Sequence, residues 1–214
     1  MIVQATSGLS QVNFGHNVVL RCPNCRQLAT FDRVDSSELQ FSTRNATFVV
    51  GHRVCPNPQC RTVVFFVWEF GKSGLVATYP AERLDFDSTN IPAPVTKALE
   101  EAITCHSNEC YMASAMMVRK TLEELCHERG ASGDNLKLRL RALGTKIVVP
   151  QELIEGLDEL RLLGNDAAHI ESREFDDIGK SEVEVGIEFA REVLKAVYQY
   201  SDLLQKLRSL KKTP

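Results

Sequence analysis

Long hydrophobic runs are missing from this chain. No stretch approaches the roughly 20 apolar residues that a bilayer span needs, so a membrane-embedded helix and a membrane partner are not expected. With 43% hydrophobic and 25% charged residues among 214, the composition is that of an ordinary globular protein. The opening segment "MIVQATSGLSQVNFGH" lacks a basic flank followed by an apolar core; no secretory signal is read there, and a cytoplasmic location is expected. Excess positive charge is also lacking. A net charge of −3 argues against coating nucleic acid by bulk electrostatics. No phosphate-cradling glycine loop, nucleophilic serine motif or dinucleotide fingerprint occurs, which argues against ATP- and NAD-dependent chemistry. Internal repeats and low-complexity segments are absent too.

Cysteine, by contrast, is informative. Seven cysteines make a poor disulfide framework, and in a reducing compartment paired cysteine knuckles point to metal. "CPNC", Cys22 to Cys25, and "CPNPQC", Cys55 to Cys60, each end a β-like run. Four thiolates on two tight turns, Cys22, Cys25, Cys55 and Cys60, can close a tetrahedron around one structural Zn2+ per chain with no position left for water. Metal binding would supply much of the folding free energy of so small a unit. Cys105 and Cys110 repeat the spacing of the second knuckle with His106 between them. A second metal site is one reading of that pair, and ordinary cysteines at a helix junction the plainer one. Cys126, alone on a helix face, reads as core.

The pattern divides the chain into a β-rich part and a helical part, an α+β protein. Residues 1–75 contain short valine- and aromatic-rich runs, "HNVVLRC", "NATFVVGHRVC" and "RTVVFFVWEF", which predict a small antiparallel sheet. Residues 76–94 carry three prolines and little periodicity and read as a linker. Over 95–214 the period is helical. Val95, Leu99, Ala102 and Ile103 line a first helix; Met112, Ala115, Val118, Leu122 and Leu125 line a second, closed by "HERG". "NLKLRLRAL" fits a strand by alternation and a helix by Leu136, Leu140 and Leu143; helix is the reading taken. Pro150 starts another helix, with Leu153, Leu157 and Leu160 inside. "SEVE" supplies a capping box from Ser181 to Glu184 for a last helix reaching about Leu210, whose stripe of Ala190, Val193, Val197, Tyr200, Leu204 and Leu207 is expected to be buried in a bundle or against a second subunit.

Every basic residue in the first seventy is an arginine, among them Arg21, Arg26, Arg53 and Arg61. Guanidinium groups suit phosphate, so Arg21, Arg26 and Arg61, with Arg119 from the second helix, are candidate nucleic-acid ligands; scattered solvated arginines are the simpler alternative. "RLLGNDAAH" raises a further question. If one helix runs through Gly164, then Arg161, Asn165 and His169 follow one another at single-turn spacing and can meet one anion. If Gly164 ends a helix, Asn165 is a natural N-cap for the next. A lone Trp68 with Phe65, Phe66 and Phe70 offers at most a partial stacking surface, because alternation puts some of these rings in the core.

The combination of "RCPNC", "CPNPQC", "YP" followed by "IP", "AMMVRKTLEELC" and "RLLGNDAAH" resembles the domain of unknown function 4145 family. That resemblance implies a zinc-ribbon-like N-terminal segment before a four- or five-helix bundle related to the HEPN superfamily, often homodimeric and found in prokaryotic defence and restriction systems. It implies a nucleic-acid-binding (RNA or DNA) or partner-binding regulatory module. Alternatively it implies a metal-independent endoribonuclease, as many HEPN proteins are, with His169 as general base or acid, Arg161 stabilising phosphate charge and Asn165 orienting one of them. The chain departs from the HEPN motif: seven residues separate Arg161 from His169, and Leu162 follows the arginine where a polar residue is usual.

Overall fold

β-branched and aromatic residues dominate Thr47–Val54 and Val63–Glu69, and these two stretches pair antiparallel from Phe48 opposite Glu69 to Val54 opposite Val63. A computed structural model describes residues 5–34, 38–71, 74–147, 149–168 and 178–210. The strands are β1 (Ser10–Gln11), β2 (Val19–Arg21), β3 (Leu28–Thr30), β4 (Asp32–Arg33), β5 (Leu39–Ser42), β6 (Thr47–Val54), β7 (Val63–Glu69) and β8 (Gly74–Tyr79). The main sheet has the order β1-β5-β6-β7-β8, with β4 also on β6, while β2 and β3 form a separate hairpin. Strand β8 occupies the first residues of the stretch read above as linker. "VATY" pairs with β7 there through Ala77 opposite Val67 and Tyr79 opposite Phe65.

The chain divides into two compact units, Met1–Arg83 and Leu84–Pro214. In the first, alternation sends Val49, Val64 and Phe66 to one face, where they pack with Phe14, Val18, Leu20 and Phe31. Arg53 shares this interior. It is not a surface arginine: its guanidinium is fully buried, pairs with buried Glu38 at 2.8 Å and lies 4.6 Å from the Phe66 ring centre.

The second unit contains six described helices, so the chain is α+β: α1 (Ala93–Ser107), α2 (Tyr111–Glu128), α3 (Leu136–Gly144), α4 (Gln151–Ala168), α5 (Lys180–Leu194) and α6 (Tyr200–Ser209). A π-helical turn at Lys195–Gln199 joins α5 to α6. "LKLRLRALG" is helical because Asn135 accepts the Leu138 amide as an N-cap and Leu136, Leu140 and Leu143 reach the core together. Gly130, at φ 61°, follows α2 in the left-handed conformation expected after "HER". Leu84, Phe86 and Ile91, from the stretch read as linker, pack on the helical core.

Two expectations are corrected. Helix α5 opens at Lys180, not Ser181: the Gly179 amide donates to Glu182 Oε2 at 3.0 Å, and Glu182 takes the part assigned to Glu184. Met112 is 58% exposed, because the packed stripe of this helix is Tyr111, Ala115, Val118, Leu122 and Leu125, and Met112 lies off it on the same outer face as the exposed Met116. Of the last stripe, Ala190, Val193 and Val197 are buried in the bundle, whereas Tyr200, Leu204 and Leu207 are exposed in the single chain, since α6 runs past that core.

Candidate functional site

The first knuckle turns between β2 and β3, and the second between β6 and β7. Each turn closes on backbone hydrogen bonds: Arg26 N–H donates to Cys22 O at 2.9 Å, and Arg61 N–H to Asn57 O at 3.0 Å. The residue after each second cysteine, Arg26 at φ 62° and Arg61 at φ 48°, is left-handed. The doubled motif therefore folds twice into similar turns, and the sheet core between them brings the four thiols together. Cys22 and Cys60 Sγ lie 3.7 Å apart, as do Cys25 and Cys55 Sγ, and all four fall within 4.8 Å of one another. A regular tetrahedron with every edge at the 3.7 Å of these two pairs would have its centre about 2.3 Å from each sulfur, a metal–thiolate bond length. Cys22, Cys25, Cys55 and Cys60 could thus hold one metal ion.

The thiols differ electrostatically. Burial pushes Cys55 up to about 12. The Thr62 hydroxyl, 3.1 Å from Cys60 Sγ, is the main influence bringing Cys60 down to about 6. Asn24 Nδ2, 3.5 Å from Cys60 Sγ, adds a second polar neighbour of the kind that orients thiolate ligands.

The candidate phosphate ligands are engaged within the protein. Arg21 Nη1 donates to Arg26 O at 2.9 Å, bracing the first knuckle, and Arg61 Nη1 pairs with Asp32 at 2.7 Å. Arg26 sits in the first knuckle turn itself. Arg119 Nη1 donates to Asn165 Oδ1 at 2.7 Å, and Nε lies 3.5 Å from Glu123.

On "RLLGNDAAH" the helix is unbroken: α4 runs from Gln151 through Gly164 to Ala168, so Asn165 is not an N-cap. Arg161, mostly buried, donates through Nε to Asp158 at 2.6 Å, and this bond is the chief reason that Asp158 ionises below the ordinary carboxylate range. Arg161 and Asn165 stand one turn apart, each with its own partner. His169 lies outside the described residues.

Two features escaped the sequence reading. One is the Arg53–Glu38 pair, for which the local sequence carries no sign, as Arg53 is on β6 and Glu38 lies just before β5. The other is the outer face of the main sheet. There Leu39, Val50, His52, Phe65, Val67 and Tyr79 line a cavity of about 380 Å³, with Phe65 56% and Tyr79 73% exposed. The alternation in "TVVFFVWEF" could have shown it, since it sets Val63, Phe65 and Val67 opposite the core residues.

A family model described as "Domain of unknown function (DUF4145)" matches residues 100–212. That match falls in the helical unit, and the four-cysteine cluster lies outside it. No curated protein and no solved structure matches the chain.

Proposed function

We propose that the chain, which belongs to the family described as Domain of unknown function (DUF4145), is a non-catalytic binding and regulatory module whose sheet unit, built around one structural zinc, receives a partner protein. The observation that carries this reading is the outer sheet face. Solvated antiparallel faces are normally polar, whereas this one exposes an apolar cavity with no Lys, Arg, Asp or Glu among its lining residues. Such a lining, mostly apolar with His52, Thr78 and Tyr79 as its polar side chains, suits apolar side chains of a protein better than the charged backbone of a nucleic acid. Zinc is the ion favoured by four thiolates in a closed tetrahedral set, and here it would hold the sheet in shape. A prokaryotic defence or restriction system is the setting supplied by the HEPN resemblance.

Copies of the module are proposed to pair through α6. Tyr200, Leu203, Leu204, Leu207 and Leu210 form a stripe on it that is 46–79% exposed. Asp202 in its first turn already pairs with Lys206 at 2.7 Å within the same helix, so the apolar stripe would carry the seam.

The test is a comparison of captured proteins between the native chain and Phe65→Asp, both checked for retained metal. A partner held by the native chain and lost from the variant is expected; identical captures would overturn the assignment of this face.

A second reading, metal-independent endoribonuclease, is favoured by the unbroken α4, which sets Arg161 and Asn165 one turn apart with Arg119 bonded to Asn165. Labelled tRNA and single-stranded RNA, incubated without added metal, decide between the two. Cleavage that disappears in His169→Ala would establish the enzyme; no cleavage by either protein agrees with the binding module.

A further inference from the structure

Helix α1 ends in a motif with a defined hydrogen-bond pattern. Cys110 N–H donates to Cys105 O at 2.9 Å, Glu109 N–H donates to His106 O at 3.0 Å, and Glu109 is left-handed at φ 62°. These are the two reversed bonds of a Schellman cap, closed by a residue in the conformation that glycine normally supplies. In this motif the side chains at the two ends of the longer bond approach each other, usually as an apolar pair. Here both ends are cysteines. Cys110 is exposed and Cys105 half-buried, and both are free thiols. Their closeness has an independent sign: after burial, the charge on Cys110 is the next largest influence raising the Cys105 thiol. Two thiols without further ligands do not make a metal site; among the described residues the four ribbon cysteines are the only cluster of three or more potential ligands.

We propose that Cys105 and Cys110 are a reversible dithiol that reacts with low-molecular-weight disulfides and, when oxidised, staples the corner between α1 and α2. The exposed Cys110 thiolate attacks one sulfur of the small disulfide; that S–S bond breaks, and the departing thiolate takes up a proton. The Cys105 thiolate then attacks the Cys110 sulfur of the mixed disulfide and expels the second small thiol. The protein loses two protons and two electrons, and one small disulfide becomes two thiols. Because the cap already joins the two backbones, ring closure requires no unfolding of either helix.

The experiment treats the full chain as purified with oxidised glutathione, blocks remaining thiols by alkylation and maps tryptic peptides by mass. Residues 98–119 form one peptide containing both cysteines. It is expected to escape alkylation, to weigh two hydrogens less than the reduced form and to regain alkylation after dithiothreitol. In Cys105→Ser, Cys110 should instead stop at the glutathione adduct. Full alkylation of both cysteines in the native chain, or an adduct on native Cys110 as abundant as in the variant, would overturn the proposal. If the variant does not fold, the native peptide map decides alone.

Discussion

Arg119 on α2 donates to Asn165 on α4 at 2.7 Å, and beside that bond the two helices meet at Gly164. A Cβ on Gly164 would stand 2.4 Å from Arg119 Cβ and 3.2 Å from Ala115 O. Overpacking at Gly164→Ala is expected to cost about 1–3 kcal/mol while alanine returns roughly 1 kcal/mol as a helix former, so the variant should lose up to about 2 kcal/mol net. Urea unfolding followed by far-UV circular dichroism checks this. A variant more stable than its parent would sink the contact.

Metal removal should affect the sheet unit alone. Trp68, the single tryptophan, packs against the sheet core, so its emission reports on that unit, while far-UV ellipticity at 222 nm reports mainly on the helices. Chelation, or Cys55→Ala, is expected to shift Trp68 emission to the red and leave most of the helical signal. Elemental analysis should find about one zinc per chain. A metal-free sample with native Trp68 emission would refute the site.

Glu38 and Arg53 form a buried ion pair, 2% and 1% exposed at their side chains. Burial lowers the Arg53 pKa, Glu38 opposing that shift, so the pair depends on its partner for charge compensation. Glu38→Leu should destabilise the sheet unit by about 3–5 kcal/mol, and adding Arg53→Met should recover most of that loss. Trp68 fluorescence in urea measures both. Additive losses in the double variant would contradict the pairing.

His106 is buried on α1, and its Nε2 has no hydrogen-bond partner among the described residues. Burial lowers its pKa, with Glu184 partly opposing. The folded chain therefore prefers the neutral ring, while the unfolded chain takes up a proton below about pH 6.5. Stability from this group is complete above that value and declines as pH falls from it toward the depressed folded pKa. Urea midpoints of the helical signal should drop over this range in the native chain, and less so in His106→Leu. Equal slopes in both would assign the effect elsewhere.

The α6 stripe predicts self-association. Leu204→Ser with Leu207→Ser should convert a dimer to a monomer in sedimentation equilibrium with unchanged helicity, because these side chains are 46% and 61% exposed and are not core residues of the bundle. A native chain that sediments as a monomer at micromolar concentration would remove the pairing.

Local chemistry determined much of this protein from sequence alone. The doubled "CPN" knuckles name all four clustered cysteines, since a tight turn brackets each pair and thiol chemistry needs no wider context. Helical periodicity likewise marks Val95, Leu99, Leu122, Leu125, Leu136 and Leu140 as core, and each is buried. Where local signals competed, only the tertiary structure decided. Gly164 and Asn165 are good helix stop-and-start residues, yet α4 continues through them because close approach to α2 uses the missing Cβ and Arg119 engages the Asn165 side chain. The same holds for charge. An arginine in sequence is a cation without an address, and the fold sends Arg53 into the core, Arg61 to Asp32 and Arg161 to Asp158. Those assignments depend on residues that meet only after folding, apart from Asp158, which stands one helical turn before Arg161. The outer sheet face also needed strand register: Leu39, Val50, Phe65 and Tyr79 belong to four strands that become one surface only when paired.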